Sequence, residues 1–130
     1  MVDRKRTAVE HWLTKGENDL RAGHASLQAN PPITEDVCFH SQQAIEKSLK
    51  AFLVEMGTEF PKTHDLTKLV RLCGKSDEAF LELITLVEGM TTYAVTERYP
   101  DDWREILLDE AQEAIGKAEK AVAFVKRKIK

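Results

Sequence analysis

A chain of 130 residues, 42% apolar and 32% charged, can bury a core without disulfide or metal staples. That composition excludes a disordered or collagen-like protein. The formal net charge of −3 excludes whole-surface attraction to nucleic acid, so any such activity needs a local patch.

The first helix is expected from a capping box at Thr7-Ala-Val-Glu10, where the Thr hydroxyl covers a backbone N–H and the Glu reaches back. Val9, Trp12, Leu13, Gly16, Leu20, Gly23 and Leu27 then follow helical spacing to about Ala29, where Asn30-Pro31-Pro32 ends it. Gly16 and Gly23 lie on the apolar stripe, which suits the close approach of a second helix. Thr34 is a plausible N-cap for the next helix, with Glu35 and Asp36 in its first turn. This central helix runs from there to Met56, with Gly57 at its stop. Cys38, Ile45, Leu49, Phe52 and Met56 share one narrow face, and His40, Gln43, Lys47 and Lys50 lie close together on nearly the opposite one. Such a polar row is either a solvated face or a binding surface.

Thr63-His64-Asp65 opens a short helix with Leu66, Leu69, Val70 and Cys73 on its apolar side and Gly74 as its close. Ser76 is expected to cap a fourth helix buried through Phe80, Leu83, Ile84, Val87 and Met90, which loses its pattern near Tyr93 and ends by Arg98-Tyr99-Pro100. Asp102-Trp-Arg-Glu105 has the form of a second capping box, opening the last helix. Leu107, Ala111, Ala114, Ala118, Ala121, Val122 and Val125 line one face of it, and Lys126, Arg127 and Lys128 complement its dipole. With no alternating β-branched runs, the chain reads as a single all-α domain over residues 1–130. The architecture expected is an up-and-down bundle of four long antiparallel helices plus a short extra one.

Cys38 and Cys73 stand far apart without metal-ligand spacing, which points to buried reduced thiols. No metal or cofactor is expected. No apolar run approaches the ~20 residues of a membrane span. The opening Met-Val-Asp-Arg-Lys-Arg lacks the apolar segment of a signal peptide, so a cytosolic location without membrane association is expected.

The stretch Phe39-His-Ser-Gln-Gln-Ala-Ile-Glu-Lys-Ser-Leu-Lys-Ala-Phe-Leu53 closely resembles the signature helix of HEPN domains. Three further places fit in order: Trp12-Leu13 with Asp19-Leu20, Thr63-His64-Asp65-Leu66, and Tyr93 with Arg98-Tyr99-Pro100-Asp101. The resemblance implies a usually dimeric helical bundle, often encoded beside a minimal nucleotidyltransferase as a toxin–antitoxin pair. Many HEPN proteins are metal-independent ribonucleases using an Arg-x4–6-His motif in the C-terminal half. This chain departs from that pattern, since Arg98 is followed by Tyr99, Pro100, Asp101, Asp102 and Trp103, and no His follows His64. It resembles the branch that keeps Arg-Tyr-Pro. The one Arg-x4-His, Arg6-Thr-Ala-Val-Glu-His11, stands at the other end.

The expected function is therefore a nucleotide- or nucleic-acid-binding homodimer paired with a minimal nucleotidyltransferase. Its candidate binding residues are Arg98 first, then Lys47, His40 and Tyr99, with Lys50 and Gln43 beside them. Arg98 would take phosphate bidentately, Tyr99 would stack on a base, and the lysines would act as point charges. A structural role competes for Arg98, as an ion pair to Asp101, Asp102 or Asp19. The enzymatic alternative is a ribonuclease toxin on the same surface, with His40 as its weak candidate acid or base. A third reading is a purely structural or partner-binding dimer. A companion nucleotidyltransferase could modify Tyr93 or Tyr99, but the acceptor role of members with the Arg-x4-His motif does not carry over where the His is missing.

Overall fold

The computed structural model describes residues 3–95 and 103–129, and among them every regular element is helical. In chain order these are α1 (Arg4–Gln28), α2 (Thr34–Glu55), α3 (Leu66–Ser76), a 3₁₀ segment (Glu78–Leu83), α4 (Ile84–Val87), a second 3₁₀ turn (Thr91–Ala94) and α5 (Leu108–Lys128). The all-α bundle expected from the sequence is borne out. It is built around α2, which packs against α1, α5 and α3.

Because α2 is covered on several sides, its burial extends far beyond one stripe. Val37, Cys38, Ala44, Ile45, Leu49, Ala51 and Leu53 are buried, and so are Ser41, Gln42, Glu46, Ser48 and Lys50. Met56, expected on the apolar face, is exposed, because it follows the helix at the turn made by Gly57 with φ +69°. The rings of Phe52, Phe80 and Phe124 meet at centroid distances of 4.2 and 5.1 Å, joining α2, the first 3₁₀ segment and α5. Cys38 and Cys73 are free and buried, as expected.

Several helix ends fall elsewhere than their sequence signals. The first helix starts a turn before Thr7. Asp3 is its cap, accepting from the Arg6 N–H, and the Thr7 hydroxyl donates to the Asp3 carbonyl. Glu10, instead of reaching back to a cap, accepts from Arg6 Nε at 3.0 Å. Ile33, not Thr34, occupies the cap position of α2, without a side-chain cap. Gly74 lies inside α3, where Leu81 lies over it so closely that a Cβ would stand 2.6 Å from Leu81 Cδ2.

The fourth expected helix is broken. Asp77, not Ser76, caps the 3₁₀ segment, α4 is a single turn, and Gly89 at φ +81° turns the chain before Thr91. Phe80, Leu83, Val87 and Met90 are nevertheless all buried. Their three- and four-residue spacing serves a 3₁₀ turn as well as an α-helix, so periodicity could not tell them apart. The last helix begins at Leu108 rather than near Asp102, which lies outside the described residues. Trp103 and Arg104 are instead held by side-chain bonds to Glu35 and Glu110.

The glycines at the α1–α2 crossing give a direct test. A Cβ at Gly16 would stand 3.2 Å from the Ala44 carbonyl oxygen, a backbone atom of α2, whereas nothing lies within 4 Å of one at Gly116 in α5. Gly116→Ala should stabilise the protein by about 0.5–1 kcal/mol through helix propensity. Gly16→Ala should instead destabilise it, by roughly 1–3 kcal/mol, because α1 must move off α2. Urea unfolding of both variants reads the two opposite signs.

Candidate functional site

Close approach of α1 to α2 brings Asp19 into the polar row of the central helix. One carboxylate oxygen accepts from Lys47 Nζ at 2.6 Å, and the other lies 2.8 Å from His40 Nδ1. Asp19 is buried, and the His40 and Lys47 side chains are 27% and 22% exposed. Facing a carboxylate, His40 Nδ1 carries the hydrogen, which leaves Nε2 as the acceptor of the neutral ring.

A second carboxylate organises the rest of the row. Glu46 accepts from Lys50 Nζ at 2.9 Å, from His64 Nδ1 at 2.8 Å and from Gln42 Nε2 at 3.2 Å. Gln42 also donates to the His64 carbonyl, and Gln43 donates to Gln42 Oε1 at 2.6 Å. Burial would raise the Glu46 pKa, but the hydrogen bonds from Lys50, His64 and Gln42 prevail and hold it below the ordinary carboxylate range. The Lys50 ammonium also sits 5.5 Å from the Trp12 ring centroid and 5.9 Å from that of Phe60.

His40, Gln43, Lys47 and Lys50 thus lie together, but as members of two carboxylate-centred networks. Arg98 and Tyr99 lie outside the described residues, as do Pro100 and Asp101. Asp19 and Glu46 are the residues that reading the row alone overlooks. The sequence does place Glu46 four residues from both Gln42 and Lys50, a helical pairing distance.

A separate cleft of about 190 Å³ opens where the start of α2 meets the segment leading into α5. Phe39, Tyr93, Trp103 and Ile106 supply apolar wall, and Glu35, Asp36 and Arg104 supply charge. Behind the wall Glu110 takes two bonds from the Arg104 guanidinium, at 2.8 and 2.7 Å, and one from the Tyr93 hydroxyl. Arg104, opposed by partial burial and helped by Tyr93, pulls the Glu110 pKa down to about 2. Burial and the bond to Glu110 push the Tyr93 phenol well above its usual value. Its hydroxyl is therefore a committed donor rather than a ready nucleophile. Trp103 Nε1 donates to Glu35 at 3.2 Å, leaving the indole 60% exposed at the cleft rim. Val95 and Trp103, both lining residues, stand directly before and after residues 96–102, which carry Arg98 and Tyr99.

Comparison with known proteins bears on the whole chain. The family model described as the HEPN domain matches residues 9–128. A candidate toxin of Methanocaldococcus jannaschii is 26% identical over 134 residues, spanning 92% of this chain and 86% of the relative. A crystal structure described as an archaeal HEPN homologue superposes with a TM-score of 0.74 at 26% identity, covering 94% of this chain and 98% of the other. A crystal structure from Thermus thermophilus gives 0.69 at 26% identity, covering 92% and 97%.

Two outcomes test this electrostatic arrangement. Asp19→Ala leaves His40 and Lys47 facing each other without their shared carboxylate, and should cost about 2 kcal/mol in urea unfolding. The folded-state pKa of Glu110 is depressed, so its stabilising effect is present above the ordinary carboxylate value of 4.5 and is lost as pH falls toward about 2. Glu110→Gln should therefore flatten the acid limb of the stability–pH curve in that window.

Proposed function

The chain belongs to the HEPN family, and we propose that it is the nucleotide- or nucleic-acid-binding half of a toxin–antitoxin-type pair with a minimal nucleotidyltransferase. The observation that carries this reading is the cleft beside Trp103. Aromatic side chains at its wall and rim suit stacking on a base. The Glu35 and Asp36 carboxylates are acceptors for ribose hydroxyls or exocyclic amines and are repelled by phosphate. The nucleoside end of a ligand therefore belongs inside, with its phosphate directed out; Arg98 and Tyr99 are the residues we assign to phosphate contact and base stacking, and Lys47 and His40 contribute from the row on α2. The matched candidate toxin supports the toxin–antitoxin setting.

In this reading the protein is a cytosolic homodimer. Ile33, Trp103 and Ile106 share a shallow surface with Pro31 and Pro32, and exposed Leu107 and Leu108 follow directly in the chain, an apolar area suited to a second copy. No helix among the described residues is long and apolar enough to cross a membrane.

One observation favours a second reading as a metal-independent ribonuclease. His40 has the orientation of a general base, Nδ1 fixed by Asp19 and Nε2 left as acceptor, with the Lys47 cation on the same carboxylate. RNA digestion that persists in chelator and disappears in His40→Ala would establish it.

The binding reading is tested by thermal shift against nucleoside mono-, di- and triphosphates and a short RNA. A ligand at 100 times its Kd adds about 2.7 kcal/mol of stability, a rise on the order of ten degrees for a domain of this size. Arg98→Ala should abolish the shift while leaving the unliganded Tm nearly unchanged. A lowered Tm with the ligand response kept would instead make Arg98 a structural ion-pair residue.

A further inference from the structure

We infer that the outer face of α3 is a docking surface for the phosphodiester backbone of RNA. The inference rests on the nucleic-acid arm of the reading above and adds a place for the strand outside the cleft. Its ground is the contrast between two kinds of cation. Lys47, Lys50, Arg104, Lys126 and Lys128 each hold a carboxylate, at 2.6 to 2.9 Å. Lys68, Arg71 and Lys75 hold none among the described residues, and α3 contains no acidic residue at all. Desolvating a paired cation against phosphate breaks an existing bond; an unpaired one needs only to shed water and counterions.

The geometry suits a linear polyanion. At 100° per residue Lys68, Arg71 and Lys75 fall within an arc of about 60°, opposite the buried Leu66, Leu69, Val70 and Cys73, with a cation at roughly every turn. They line an open groove with Asp65, Thr67 and Leu72. Asp65 is the one carboxylate there, and one of its oxygens is taken by the Lys68 N–H. Leu72 is the one apolar residue lining the groove. At the far end of α3, Asp77 is neutralised by Lys128 at 2.9 Å, which brings the end of α5, with Arg127, alongside. Arg127 and Lys128 share that surface with Glu55 and Asp77, so the run of unpaired cations ends with α3.

The test uses the full chain, a fluorescein-labelled single-stranded RNA and anisotropy at several salt concentrations. Two triple variants remove equal charge: Lys68→Gln, Arg71→Gln, Lys75→Gln on the face, and Lys5→Gln, Lys15→Gln, Lys120→Gln away from it. The face variant should lower the slope of log K against log salt by about 2 and weaken binding on the order of a hundredfold at 0.1 M salt. The control variant should do neither, with both retaining the wild-type thermal transition. Equal weakening by the two variants, or none by the face variant, overturns the inference while RNA binding itself stands. Tighter binding of a DNA strand of the same sequence overturns the choice of RNA. Wild-type protein that binds a nucleotide but no RNA overturns the inference and leaves the cleft reading intact.

Discussion

The buried carboxylate of Asp19, shared between His40 and Lys47, is the interaction on which the arrangement of the bundle's polar side depends. Gly16 lets α1 lie against the Ala44 carbonyl, and that close crossing brings Asp19 to His40 and Lys47. Without that crossing, His40 and Lys47 on the polar face of α2 would lack their carboxylate partner. With it, the row is closed over and charge-compensated by α1 on one side and by Glu46 from within α2. A central helix can then be enclosed by neighbours while carrying His, Lys, Gln and Glu, because each buried polar group has a partner.

That compensation changes where a ligand is best received. Lys47 and Lys50 are held by carboxylates within 3 Å, so a phosphate must compete with those bonds to use them. The cleft at Trp103 and the outer face of α3 carry no such cost in the same degree. The first offers aromatic wall and acceptor groups, and the second offers cations without anionic partners. A base in one and a backbone along the other is a division of roles that the charge pattern itself suggests, since the acidic residues of the cleft and the basic residues of α3 would each repel or ignore the other's ligand.

Much of the fold was legible because the strong signals were local. The Gly57 stop, the Pro31-Pro32 break, the apolar side of α3 and the buried face of α5 all follow from spacing and turn chemistry. The helix starts were less legible, since Thr7, Thr34 and Ser76 were outcompeted or displaced by Asp3, Ile33 and Asp77, and the Asp102 pattern was not a guide to where α5 begins. Capping residues are common enough that several lie near any start, and tertiary bonds decide among them. Trp103 is the clear case, drawn to Glu35 from across the sequence. Within the site, the row His40-Gln43-Lys47-Lys50 was readable as a row, but its pairing with Asp19 joins two helices and leaves no periodic mark. The cleft was invisible for the same reason: Phe39, Tyr93 and Trp103 meet only through the fold.

The most direct test of the cleft is a proton–nitrogen NMR titration with a nucleoside monophosphate, observing the two indole N–H resonances. Trp103 stands at the cleft rim, where Phe39 of α2 lies, and Trp12 lies over Lys50, about 16 Å farther along that helix. The account predicts that the Trp103 resonance moves saturably as its bond to Glu35 is disturbed, while that of Trp12 stays in place. Movement of Trp12 with a fixed Trp103 would contradict it and return the ligand to the polar row of the central helix.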